Sequence, residues 1–100
     1  MTIKERLDEL KAQIDKLDQE RKTLELAWTD DVKKTISEPK FDIYSKKADK
    51  ILEKVADKYT PLIVDIEDQR IELVEEYNYL VDRLKKLEAE EKLKKNEEND

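Results

Sequence analysis

No glycine occurs among the 100 residues of this chain, and proline occurs only twice. Left-handed backbone positions at helix ends and in tight turns normally fall to glycine, so a chain without it is restricted to folds with few reversals. Between the rare breaks, apolar residues recur in alternating steps of three and four, the spacing of a coiled-coil seam. One line is Ile3, Leu7, Leu10, Ile14, Leu17, Leu24 and Trp28, with Arg21 at its polar position. Another is Ile63, Ile66, Leu73, Tyr77, Leu80, Leu84 and Leu87, interrupted by Arg70. The predicted fold class is all-α: an antiparallel helical hairpin with coiled-coil character, its long C-terminal helix kinked near Pro61.

Thr2 followed by Glu5 forms a capping box, so the first helix should begin at about residue 2 and run to about 37, loosened near Thr29, Asp30 and Asp31. Val32 and Ile36 extend its apolar face. Pro39 biases Glu38 away from helical angles and Asp42 is a helix cap by composition, which places a second helix at about 42–59. Its inward set is Tyr44, Ala48, Ile51, Leu52, Val55 and Tyr59. A third helical segment is expected over 61–95, joined to the second through Pro61 by a bend rather than a full reversal. The whole makes one helical domain over 1–95, with a disordered acidic tail at 96–100.

With 48% charged and 37% hydrophobic residues there is little material for a thick globular core. Cysteine and histidine are both absent, which excludes disulfides, thiolate chemistry, zinc fingers and imidazole proton transfer. The opening residues lack the apolar region of a signal peptide, and no apolar run is long enough for a membrane span. A cytoplasmic protein with no membrane association and no cofactor is therefore expected.

A reversal centred on Pro39 sets the first helix against the rest of the chain in a definite register. Trp28 then faces Leu52, Leu24 faces Val55, Leu17 faces Ile63, and Leu7 faces Leu73, with Arg21 near Tyr59. The alternative sets the first and third helices antiparallel with the second as a crosspiece, and it would bring Arg21 to Arg70, a like-charge layer. In the preferred register the first helix ends near Tyr77, leaving Leu80, Val81, Leu84 and Leu87 without an internal partner. Beside the seam lies a second stripe of Val64, Ile71, Val74 and Val81, with Asn78 inside it. A partner-binding or oligomerisation face is thus expected on Ile71, Val74, Tyr77, Leu80, Val81, Leu84 and Leu87. A homodimer is the favoured assembly, and a further protein partner is also expected.

Charge offers less. Residues 32–60 hold five acids and eight bases, whereas 61–100 hold thirteen acids and seven bases. The weakly basic segment, with Lys46, Lys47, Lys50 and Lys54, falls short of a phosphate-binding patch, so nucleic acid is not the expected ligand. The acidic row Asp65, Asp68, Glu72, Glu75 and Glu76 supports an alternative reading, an inhibitor that imitates a phosphate backbone, as small phage-encoded proteins do. Its plainer reading is a solvated outer face. Trp28, Phe41, Tyr44 and Tyr59 gather near the reversal, where aromatic residues either anchor a partner or close the end of a core. Leu26 and Tyr79 fall on outer positions.

Glu72 and Glu75 followed by Glu88 and Glu91 loosely resemble the paired acidic motifs with which all-helical nucleotide pyrophosphohydrolases hold magnesium. That resemblance implies two facing helices. Here both pairs lie on one helix, with residues 75 and 88 about 20 Å apart, too far to share an ion. No catalytic or metal site is expected, and the function predicted is that of a non-enzymatic, self-associating helical adaptor, assembly factor or regulatory subunit.

Overall fold

The computed structural model describes residues 1–98, with side chains to Lys95. Two helices, α1 (Ile3–Ile36) and α2 (Lys46–Glu98), form a helical hairpin, with no strand among the described residues. The expected second and third helical segments are one element, since α2 continues through Pro61 without interruption. Its backbone is also helical over 96–98, where a tail was expected; the last two residues of that tail lie outside the described residues.

Thr2 starts α1 as its sequence implies. Its Oγ1 accepts from the Glu5 backbone N–H at 3.1 Å, and its carbonyl accepts from Arg6 N–H at 3.1 Å. Helix α1 does not loosen at Thr29–Asp31, because tertiary partners on α2 hold that stretch, as described below.

The reversal is long, as the absence of glycine requires. Ser37–Ser45 contains two successive turns. The first is closed by Phe41 N–H to Glu38 C=O at 3.0 Å, with Pro39 at the second position, where its fixed φ fits. In the second, Ser45 N–H reaches Asp42 C=O at 3.0 Å, and the Asp42 carboxylate also accepts from Tyr44 N–H at 3.0 Å. Neither turn needs a positive φ, and none of the described residues has one. Asp42 therefore stabilises a turn instead of capping a helix. That moves the start of α2 from the expected residue 42 to Lys46, and Tyr44, expected to face inward, is 95% exposed in the connection.

The chain packs as two compact units, and each helix contributes a segment to both. The first unit comprises Met1–Asp15 and the α2 segment from Arg70 onward. Leu10 is its fully buried side chain. Ile3, Leu7, Ile14, Leu73, Tyr77, Leu80 and Leu84 are half-buried, all at seam positions. Arg6 crosses to Glu76 at 2.7 Å and is also held by Glu9 at 3.0 Å.

The second unit is Lys16–Gln69, and its buried apolar side chains are Leu17, Ala48 and Ile66. Ala48, Leu52, Val55 and Tyr59 form the inward line of early α2 in steps of four, three and four. Ile51 was expected in that set but stands one residue, hence about 100°, off the line, and it is exposed.

The register in this unit is one heptad beyond the expected one. Trp28 stacks on Tyr59, with ring centroids 6.0 Å apart, and not on Leu52. Arg21 pairs with Glu67 at 3.0 Å and with Glu25 at 2.9 Å, and not with the ring of Tyr59. A slip of seven residues returns seam positions to seam positions, and in either register one leucine of α1 falls opposite Arg70, so the repeat alone does not choose between the two registers. The polar seam residues do. The like-charge objection to setting Arg21 near Arg70 loses its force because two carboxylates take up Arg21.

Candidate interaction surface

In the first unit, Ile71, Val74, Asn78 and Val81 each follow a seam residue by one position, so they form a second line about 100° around α2 from the seam. Ile71 is 55% exposed, Asn78 is exposed, and Val74 and Val81 are half-buried. Of the residues expected to lack an internal partner, Leu80, Val81 and Leu84 are half-buried, so they are partly covered within the unit. Leu87 remains exposed. Of the expected face, Ile71 and Leu87 are thus the two residues that stay exposed, and the residues between them are partly covered. Leu93, exposed at 62%, belongs to neither stripe and was not anticipated. Tyr79 is 63% exposed in this unit, as its outer position implies.

The acidic row divides between the units. Asp65 and Asp68 are exposed in the second, where Asp65 accepts from the Gln69 side chain at 3.0 Å. Glu72, Glu75 and Glu76 are exposed in the first, but Glu76 is paired with Arg6, so one charge of the row is already balanced. The Arg6 guanidinium is in turn held more firmly in its charged form, chiefly by that hydrogen bond.

The second unit contains a polar cluster built on the α1 seam. Asp31 occupies the seam position three residues after Trp28, and its carboxylate accepts a hydrogen bond from the Tyr59 hydroxyl, with Lys58 4.0 Å away. Thr35 follows at the next seam step, half-buried, and its Oγ1 donates to the Asp31 carbonyl at 2.8 Å. Val32 lies beside this line, half-buried, while Ile36 is exposed. The signal that marks Asp31 in the sequence is its place in the three-four series, which its low helix propensity masks. Phe41 is half-buried in the same unit, and Leu26 is 63% exposed.

An open groove of about 590 Å³ also lies in this unit, with Leu24, Leu62 and Ile66 among its apolar lining and Lys16, Glu20, Asp65 and Gln69 among its polar lining. Lys46, Lys47, Lys50 and Lys54 are all exposed. Among the described residues no helix is long and apolar enough to cross a membrane, and no three acidic side chains are grouped to hold a metal ion.

The hydrogen bond to Asp31 pushes the Tyr59 hydroxyl above its ordinary value of 10.0, reinforced by burial and by the charges of Asp31 and Asp30. A group whose value is raised on folding contributes stability that is complete below the unfolded value and lost as pH climbs through the folded one. Thermal melts should therefore show the stabilising effect of Tyr59, relative to Tyr59→Phe, at about pH 8 and a smaller one at about pH 11. A difference between the two proteins that does not change with pH would contradict this.

Comparison with protein-family models, with curated proteins and with solved structures finds no match to this chain.

Proposed function

We propose that this chain is a non-enzymatic protein–protein interaction module that self-associates through α2, serving as an adaptor, assembly factor or regulatory subunit. The observation that carries the reading is the second apolar line of α2, with Ile71 more than half exposed on a helix whose seam is already occupied. Apolar side chains repeated at three-four spacing on an outer face lower the free energy of a helix chiefly when another helix covers them. Ile71 and Val74 are also β-branched residues on an ordered backbone, so covering them costs little side-chain entropy.

Light scattering on the intact chain tests this. The parent should show a multiple of 12.0 kDa. Ile71→Glu should return to the single-chain mass at concentrations where the parent is associated, with unchanged helicity by circular dichroism, because Ile71 is exposed in the single chain. A parent of single-chain mass at every concentration, or a variant with the parent's mass, would overturn the reading.

A further inference from the structure

We propose that the occupant of the Ile71–Val81 line is a second copy of this chain, its α2 parallel to the first and in register, with Asn78 facing Asn78 across the two-fold axis. The inference rests on the self-association just proposed and adds the partner's orientation and the layer that fixes it. Taken as a seam in its own right, the line places Ile71 and Asn78 at a-type positions and Val74 and Val81 at d-type positions. An asparagine at an a position of a parallel two-stranded seam meets its own copy, so one amide donates while the other accepts.

An antiparallel pair treats the same residues differently. It sets a-type positions against d-type positions, so Asn78 would face Val74 and its amide would be covered without a partner, an unfavourable arrangement. The flanking charges separate the two orientations in the same sense. In the parallel pair Arg70 precedes the seam and reaches toward Glu75 of the other copy, five residues on, and the contact occurs twice by symmetry. The Arg70 guanidinium has five donors to share between its own chain and that carboxylate. In the antiparallel pair Glu75 would approach Glu75 of the other copy, a repulsive contact.

The seam is short, about two heptads. A short seam suffices here because α2 is already ordered by packing on α1, so association does not have to nucleate the helix. The second line also lies about 100° from the first, close to the corner angle of a four-helix bundle, so one face of α2 can hold α1 while the other holds the second α2.

Because the chain has no cysteine, one introduced thiol reports one contact. Asn78→Cys, at an exposed position that leaves the single chain intact, should form a covalent dimer nearly completely under mild oxidation. Light scattering before oxidation should already give about twice 12.0 kDa. A dimer mass in which Asn78→Cys stays unlinked, while a mixture of Val74→Cys and Asn78→Cys proteins cross-links to each other, would show antiparallel helices. It would overturn this inference and leave self-association standing. A dimer that links in neither experiment would overturn it too, by placing the contact elsewhere. A single-chain mass at every concentration would overturn both readings.

Discussion

Leu10→Ala is expected to destabilise the chain by about 3 kcal/mol, lowering the melting temperature by roughly 12 to 24 °C at fixed protein concentration. Leu10 is 0% exposed, whereas the other seam side chains of its unit retain some contact with solvent. Truncation to alanine removes three carbons from the best-covered site of that unit and leaves a void that the neighbouring turns fill only in part. A margin of about 5 to 15 kcal/mol is usual for a small domain, so this change takes away a large share of it. Leu26→Ala, 63% exposed on the same helix, should change stability by no more than about 0.5 kcal/mol. Thermal melts followed by circular dichroism compare the three proteins. If Leu10→Ala melted within a few degrees of the parent, Leu10 would not be the centre of that unit.

The contrast between those two leucines was legible in the sequence, because residues 10 and 26 belong to different lines of the three-four repeat. The same reasoning anticipates Leu17 and Ile66 as buried and Tyr79 as exposed, and Thr2 as the cap of α1. Register was not legible. Trp28 against Leu52 and Trp28 against Tyr59 both put apolar on apolar, since the alternatives differ by one full heptad. What distinguishes them is polar: Arg21 finds Glu67, and Asp31 finds Tyr59. Both polar residues interrupt the α1 seam, so they lower its hydrophobic score while selecting its partner, a known use of polar seam residues in coiled coils.

The connection departs from the expected one for a related reason. Pro39 and Asp42 each carry a strong local preference, and the simplest use of both is a tight reversal followed at once by a capped helix. With no glycine to supply a left-handed residue, the chain instead spends Ser37–Ser45 on two right-handed turns, and Tyr44 and the start of α2 shift accordingly. Of the candidate surface, Ile71, Val74 and Val81 were visible as a second periodic line, because periodicity needs no knowledge of register. The degree of cover over Leu80 and Leu84 depends on register, and there the sequence overstated exposure.

Pro61→Ala is expected to stabilise the chain by about 2 kcal/mol, raising the melting temperature by roughly 8 to 16 °C. Pro61 lies inside α2, where it supplies no N–H to the carbonyl of Asp57 and crowds the preceding turn. Proline in a helix interior is about 3 kcal/mol less favourable than alanine, and the lost restriction of the unfolded chain takes back between about 0.4 and 1 kcal/mol. Pro61 is exposed, so its side chain contributes little packing to set against that difference. Helix α2 survives it because the seam continues on both sides, with Tyr59 and Ile63 half-buried and Ile66 buried. In the turn before it, Thr60 Oγ1 donates to the Ala56 carbonyl at 2.9 Å, a further local hydrogen bond where the ladder is interrupted. A melting temperature that stays put or falls would mean that the packing of this turn requires proline. Light scattering on the same variant separates stability from assembly: Pro61→Ala should keep the parent's mass, because the Ile71–Val81 line is untouched by the substitution.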